Sequence, residues 1–501
     1  MSRLKKLSRI EQNMLTGLLG QLVTILVGFL LPRLFLTYYG SGVNGELNTI
    51  KQLFAYLYLL EAGVGLATTQ ALYRPVALEE HDRVNAILSA TDHYYRRTGT
   101  LYAAIVLAVG LFYPMVVQFS LPRSTILLYT VLYGLPSVVS FFVQGKYRLL
   151  MDVDGRSYVL NNLNIAVQLV SGIGKVAVLV FTQNILAMQL LYCLSSMLPI
   201  PFILWYVHKN YPWLDRHAAP DYAAVSQKGS VLLHQISSVI FNNTDMVLLS
   251  YFCNFALVSV YSIYNMFFVQ ISNILNLLIN SGSFRLGQIF QTDRKHFSAL
   301  FEVYETVYLA FVSFCATMTA AFLLPVIRIY TGGVTDINYL DPLLLLLFSC
   351  KSLVECGKNI YHQVIQYDGS FQQTRWHAVV EMTLNLLVTL IAIQFYGIYG
   401  CLFGTLAALV FRLGAILWYT CRRVLHRRIL PVVWKWARNL AAAALVLRLL
   451  GLQSRPELGF WGVVGTAFVH MFWVAGVFLL VNLLAEPTLL RRLRGVFAKT
   501  I

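Results

Sequence analysis

A small set of ionisable side chains lies inside stretches of this sequence that are otherwise apolar: the bases Arg33, Lys51, Lys175, Lys351 and Arg412, and the acids Glu61, Asp245, Glu355 and Glu381. A charge near the centre of a bilayer costs at least ~2.5–3.5 kcal/mol, so such a residue faces a partner or a water-filled cavity. A cavity lined by the bases would suit an anionic substrate. An acid in the same place would suit exchange of a proton or a sodium ion.

Each has a structural reading beside the functional one. Arg33 and Lys51 stand near the outer ends of their apolar runs and Arg412 near an inner end, where a long side chain can snorkel to the interface. Lys351 and Glu355 are spaced i,i+4, which permits a self-neutralised pair. Glu61 sits mid-run, followed by Gly63 and Gly65, whose small size allows close helix approach. Lys175 ends the string Gly172-Ile173-Gly174-Lys175, which lacks the spacing of a phosphate loop and follows no soluble strand. Asn242, Asn243, Thr244 and Asp245 are consecutive, so they spread around a helix and demand water or polar neighbours. The sequon in that string would be buried in the bilayer and unusable. His234, His377 and His470 are isolated packing or interfacial residues. The seven cysteines show no CxxC and no zinc spacing, so neither disulfides nor a metal are expected. No Ser-His-Asp set, metal cluster or carboxylate pair at catalytic spacing is present; a transporter without a cofactor fits better than an enzyme. Pairs such as Tyr56/Tyr58 and Tyr261/Tyr264 offer faces that could stack on sugars.

The elements that must position these residues follow from composition. Of 501 residues 58% are hydrophobic and 12% charged, with a mean hydropathy of +0.65, which excludes a soluble globule. At about 20 residues per crossing plus its loop, the chain accommodates about fourteen spans. The apolar runs fall at about 13–36, 47–70, 100–119, 124–145, 158–181, 185–207, 229–252, 255–281, 303–327, 342–366, 377–396, 398–420, 433–450 and 460–484. The first is too long for a cleaved signal.

The net charge of +16 serves topology rather than nucleic acid. With the N-terminus placed in the cytoplasm, only Arg123, Arg328, Arg448 and Arg455 among the 38 basic residues fall on the far side, apart from the five inside runs. Both termini are therefore expected to be cytoplasmic. The basic stretch 421–438 reads as an interfacial anchor against anionic lipid.

A weak internal repeat is visible. Gly145-Lys146 and Gly357-Lys358 are 212 positions apart, as are Leu88 and Leu300; Asp154-Gly155 and Asp368-Gly369 are 214 apart. Together they suggest two six-helix bundles, 1–206 and 229–420, joined by a cytoplasmic linker at 207–228. The segment 421–501 holds the basic stretch and two extra helices. Six is even, so the two halves would form a parallel pseudo-twofold repeat, a known transporter architecture.

The stretch LPRLFLTYYGSGVNGELNTIKQLFAYLYLLEAGVGLATTQ (31–70) resembles the opening of the polysaccharide-biosynthesis, O-antigen-type flippases of the MATE-like MOP superfamily, and NNTDMVLLSYFCNFALVSVYSIYN (242–265) is similar to their second-half pattern. The resemblance implies an all-α integral membrane protein of two bundles around an alternating-access cavity. It implies movement of an undecaprenyl-pyrophosphate-linked oligosaccharide from the inner to the outer leaflet of the bacterial cytoplasmic membrane. Partners would be that lipid-linked substrate, membrane lipids and other polysaccharide assembly proteins, with the chain itself a monomer. Arg33, Lys51, Lys175, Lys351 and Arg412 are the positions available to a cationic cavity; Glu61, Asn242, Asn243, Asp245 and Glu355 are those available to a coupling ion. Alternatives are a lipid II flippase, a cation-coupled multidrug exporter of the same fold, and a membrane glycosyl polymerase, although the last would want a large external loop.

Overall fold

The computed structural model describes residues 9–57, 59–215, 218–224, 229–450 and 458–487. Every regular element among them is helical: α1 (Arg9–Leu57), α2 (Leu59–Ala77), α3 (His81–Val116), α4 (Arg123–Val143), α5 (Gly145–Val153), α6 (Ser157–Thr182), α7 (Ile185–Met197), α8 (Pro199–Asn210), α9 (Gly229–Phe252), α10 (Phe255–Thr292), α11 (Arg294–Tyr330), α12 (Pro342–Asp368), α13 (Phe371–Tyr396), α14 (Ile398–Tyr419), α15 (Leu430–Leu450) and α16 (Phe460–Ala485). A π-helical turn, Thr420–Val424, extends α14.

Ten described stretches are long and apolar enough to cross a bilayer. The protein is an all-α, multi-pass membrane protein. The fourteen runs expected from the sequence map onto the helices once three joints are recognised. Within α1 the backbone turns at Gly40, whose φ of 78° suits a residue without a Cβ, so two spans run together there. Conversely, α7 and α8 make one span, Ile185–Asn210, broken before Pro199, and the short α5 follows α4 across a break at Gln144. Many helices outrun their apolar stretches, as α3 does from His81 and α10 to Thr292. Hydropathy marks the part in lipid, whereas the helical hydrogen bonds continue into the polar ends.

Tight turns between spans are set by side-chain caps. Asn184 accepts from the Ala187 amide at 3.0 Å, Asp293 from His296 at 2.9 Å and Asp341 from Leu344 at 2.9 Å, each satisfying an otherwise orphaned N–H of the following helix. Residues 207–210 of the expected linker belong to α8, because the helix runs to Asn210. The chain beyond it is pinned to α3: Trp213 stacks on His81 at 4.1 Å, and Asn85 bonds the Trp213 carbonyl (3.2 Å) and the Asp215 amide (3.1 Å).

The contacts divide the chain into two compact units, Met1–Ser259 and Val260–Ile501. In the first, α3 packs on α2 and α4, α6 on α1 and α7, and α9 lies along α1 and α2. In the second, α12 packs on α11 and α14, α13 on α14, and α15 and α16 both lie on α11. Both units place large apolar residues outward, including Phe181 (85% exposed) and Phe395 (76%), while Glu46, Glu305 and Asn385 are wholly buried. That is the reverse of a soluble domain and suits hydrocarbon as the surroundings.

The repeat has a steric basis at two positions. A Cβ on Gly145 would lie 2.5 Å from the Tyr95 ring, and one on Gly357 would lie 2.3 Å from the Trp436 ring. Each glycine lets an aromatic ring press against the helix backbone. Gly155 and Gly369 both have left-handed φ, 71° and 69°, and end their helices. The adjoining lysines are both neutralised from another helix, Lys146 by Asp92 at 2.9 Å and Lys358 by Glu381 at 2.8 Å.

Candidate functional site

The intramembrane charges separate into those with a carboxylate partner and those without. Arg412 is 3% exposed, pairs with Glu381 at 3.4 Å and donates to the Thr374 carbonyl, while Lys358 takes the other Glu381 oxygen. This corrects the placement of Arg412 in a cationic cavity: Glu381 neutralises it, and no open face remains for a substrate. The expected Lys351–Glu355 pair is also corrected. Lys351 turns across to α10, donating to Asn265 Oδ1 at 3.4 Å, and its ammonium stands 5.6 Å and 5.9 Å from the Phe348 and Tyr261 ring centres. Glu355 is half-buried one turn on and forms no ion pair with Lys351 among the described residues.

In the first unit, Lys175 on α6 sits 4.0 Å over the Tyr192 ring on α7. Tyr192 stacks on Tyr133 at 5.7 Å, Tyr133 on Tyr129 at 6.2 Å, and Phe54 meets Tyr133 edge-on at 4.8 Å. Lys51 on α1 lies close enough to Lys175 for the two charges to interact. Neither makes an ion pair with a carboxylate among the described residues, and the aromatic wall stands at Lys175. Ring faces attract an ammonium by about 1–2 kcal/mol, less than desolvation removes. Arg33 is half-buried on α1, and its carbonyl accepts from Thr37.

The polar string of α9 is arranged by depth. Asn242 is exposed and bonds back to the Ser238 carbonyl at 2.8 Å, and Asn243 bonds the Val239 carbonyl at 2.7 Å, so both satisfy themselves within the helix. Thr244 donates to the Ile240 carbonyl and accepts from the Tyr56 hydroxyl of α1 at 2.7 Å. Asp245, 5% exposed, lies near the same tyrosine. Asn44 reaches Ser259 at 2.7 Å, and Gly45 passes so close to Phe255 that a Cβ would lie 1.8 Å from its carbonyl oxygen. The Glu61 and His234 side chains and Tyr58 lie outside the described residues. Tyr261 and Tyr264 are 2% and 0% exposed, and Tyr264 bonds the Tyr339 carbonyl, so neither offers the sugar-stacking face expected of it.

Sequence reasoning missed a charge network in the second unit. Glu305, wholly buried on α11, binds Arg427 through two hydrogen bonds and Lys435 at 2.9 Å. Glu486, after α16, binds Arg438 at 2.8 Å and Thr306 at 3.2 Å. Arg427 and Lys435 belong to the stretch expected to lie on anionic lipid. They turn inward because Glu305 requires countercharge. Burial strips hydration from the Arg427 guanidinium, but the Glu305 carboxylate outweighs this and holds it above its ordinary range. Asn385 and Thr405 also form a buried pair at 3.1 Å between α13 and α14, which the sequence did not distinguish from ordinary packing.

No family model matches this chain, and no curated protein matches it. Solved structures do. The lipid II flippase MurJ in an inward closed conformation aligns with a TM-score of 0.70 at 15% identity, over 95% of this chain and 100% of that one. An inward-facing multidrug resistance MATE family transporter of the MOP superfamily gives 0.62 at 11% identity, over 80% and 94%. A mutant of the Vibrio cholerae MATE transporter VcmN gives 0.52 at 15% identity, over 83% and 98%. The helical fold of this chain is the one these MurJ and MATE structures share. Among the described intramembrane lysines, Lys51 and Lys175 in the first unit and Lys351 in the second make no ion pair with a described carboxylate; aromatic rings stand beside Lys175 and Lys351, and the Asn265 amide beside Lys351.

Proposed function

We propose that the chain is a flippase that moves an undecaprenyl-pyrophosphate-linked oligosaccharide across the bacterial cytoplasmic membrane by alternating access, with both termini in the cytoplasm. The observation that carries this reading is the Lys51–Lys175 pair beside Tyr192. Half-buried intramembrane lysines with no carboxylate partner among the described residues are costly unless an anion completes them. A pyrophosphate brings two or more negative charges, while its lipid tail can stay in hydrocarbon. Tyrosine faces nearby suit the sugar. Lys351 offers the same chemistry in the second unit. In this reading no residue acts as a catalyst, no cofactor is needed, and Asp245 is the described acid available to a coupling proton or sodium ion.

A second reading, a lipid II flippase, is favoured by the likeness to MurJ over nearly the full length of both chains. A multidrug exporter for cations is disfavoured, since Lys51, Lys175 and Lys351 would repel a cationic substrate. Single Lys51→Ala and Lys175→Ala variants, expressed from the native locus, test the proposal. Each should lower surface polysaccharide at least about tenfold at unchanged membrane abundance, with complete lipid-linked repeat units accumulating on the inner leaflet. Wild-type polysaccharide in both variants would refute the cationic site. Accumulated intermediates bearing a peptide would assign the second reading.

A further inference from the structure

One end of the second unit carries bases that its own acids do not reach. The start of α13 meets the end of α14 there, with the His377 and Tyr419 rings 6.4 Å apart. The chain then passes through the π-helical turn Thr420–Val424 and residues 425–429 into α15. The Leu425 and Arg427 amides donate to the Thr420 and Cys421 carbonyls at 2.8 Å each, which folds this connection back on the turn.

The acids of this unit are committed inward. Glu305 takes Arg427 and Lys435, Glu381 takes Lys358 and Arg412, and Glu486 takes Arg438. Arg422, Arg423 and Arg428 are exposed and Arg375 half-buried, and none of the four makes an ion pair among the described residues. Rings stand beside them instead: the Arg423 guanidinium lies 6.0 Å from the Trp418 ring centre, and that of Arg375 lies 5.5 Å from Trp376. Trp376 is 60% exposed, and Trp434, near the start of α15, is 65% exposed.

These residues stand at the ends of Gln372–Tyr396 and Ile398–Val424, both long and apolar enough to cross a bilayer. Indole rings favour that level, between hydrocarbon and headgroups. An acidic protein partner would answer the arginines but not the exposed tryptophans, whereas a lipid surface answers both. Guanidinium also matches phosphate oxygens with paired hydrogen bonds.

We infer that this face binds the headgroups of anionic phospholipids, with phosphate on Arg422, Arg423 and Arg428 and the Trp376 and Trp434 indoles at the edge of the hydrocarbon. The basic stretch then divides by role: Arg427, Lys435 and Arg438 hold helices together from within, while the outward arginines hold lipid. The inference is independent of what the protein transports.

The test uses the full chain, purified and placed in nanodiscs of equal parts phosphatidylglycerol and phosphatidylcholine, with native mass spectrometry of the lipids that stay bound. Wild type should retain phosphatidylglycerol over phosphatidylcholine. Changing Arg422, Arg423 and Arg428 together to Gln should lower that preference at least about tenfold, and changing all three to Lys, which keeps the charge, should preserve it. Arg83→Gln with Arg97→Gln removes exposed bases from the first unit and should leave the preference within about twofold of wild type. Should the triple glutamine variant fail to fold, Arg428→Gln alone decides, with an expected loss of about fivefold. An unchanged preference in the glutamine variants would overturn the inference, and so would an equal loss in the first-unit control. A soluble polyglutamate peptide that binds wild type while phosphatidylglycerol is not preferred would assign the face to an acidic protein instead.

Discussion

Removing the Glu305 carboxylate tests how the last two helices are held to the second unit. Glu305 is wholly buried and is shared by Arg427 and Lys435, whose side chains are 23% and 4% exposed. Glu305→Gln would leave two cations facing each other with no anion between them. Removing one partner of a buried ion pair costs about 3–5 kcal/mol, and here two contacts are lost. Replacing the whole set by apolar residues removes the desolvation cost together with the attraction, so Glu305→Met with Arg427→Met and Lys435→Met should fall within ~1–2 kcal/mol of wild type. The assay is reversible unfolding in mixed detergent, followed by tryptophan fluorescence. Trp434, Trp436, Trp461 and Trp473 lie on α15 and α16. The pH response adds a check. Arg427 has its affinity for protons raised on folding, so its contribution is present below the ordinary guanidinium range and is lost only above it. A sweep from about pH 6 to 9 should therefore leave this term unchanged. Wild-type stability in Glu305→Gln, or a triple variant as unstable as the single one, would refute the reasoning.

Two further perturbations probe the packing. Glu381→Gln leaves Arg412, 3% exposed, and Lys358 without their shared anion; a loss of about 3–5 kcal/mol is expected by the same assay, partly recovered when Arg412→Gln is added. Gly145→Ala places a Cβ 2.5 Å from the Tyr95 ring and should cost ~1–3 kcal/mol by overpacking. A double-mutant cycle with Tyr95→Leu should show that the two changes are less harmful together than their sum, and strict additivity would show that the contact is not the cause.

Hydropathy made the helical architecture legible because lipid leaves the chain few choices: an apolar stretch of about 20 residues must satisfy its backbone internally, as a helix. What escaped was whatever depends on partners distant in sequence. Arg412 and Glu381 are 31 positions apart, and nothing in either run marks them as a pair. The i,i+4 spacing of Lys351 and Glu355 did look like a pair, yet local spacing lost to Asn265, which the fold brings across from α10. Within the stretch 421–438, Arg427, Lys435 and Arg438 departed from expectation for a related reason. A basic run next to a span reads as a lipid anchor, and only the fold reveals that a buried acid 122 residues earlier draws Arg427 inward.

The same sorting gives the functional reading its physical content. A membrane protein can carry a buried cation in two ways, by supplying the counterion itself or by leaving that place to a ligand. Arg412, Lys358, Lys435 and Arg438 are of the first kind, and each has a carboxylate within about 3.5 Å. Among the described residues Lys51, Lys175 and Lys351 are of the second, and rings stand beside Lys175 and Lys351, with an amide at Lys351, where a carboxylate would stand. Supplying a carboxylate beside Lys175 should therefore stabilise the protein and abolish transport at once. Tyr192→Glu, which would set an anion where the ring now sits, should raise the unfolding midpoint while polysaccharide export falls to the level of Lys175→Ala. If Tyr192→Glu instead exported normally, the empty place beside the lysine would not be where the substrate's charge is held.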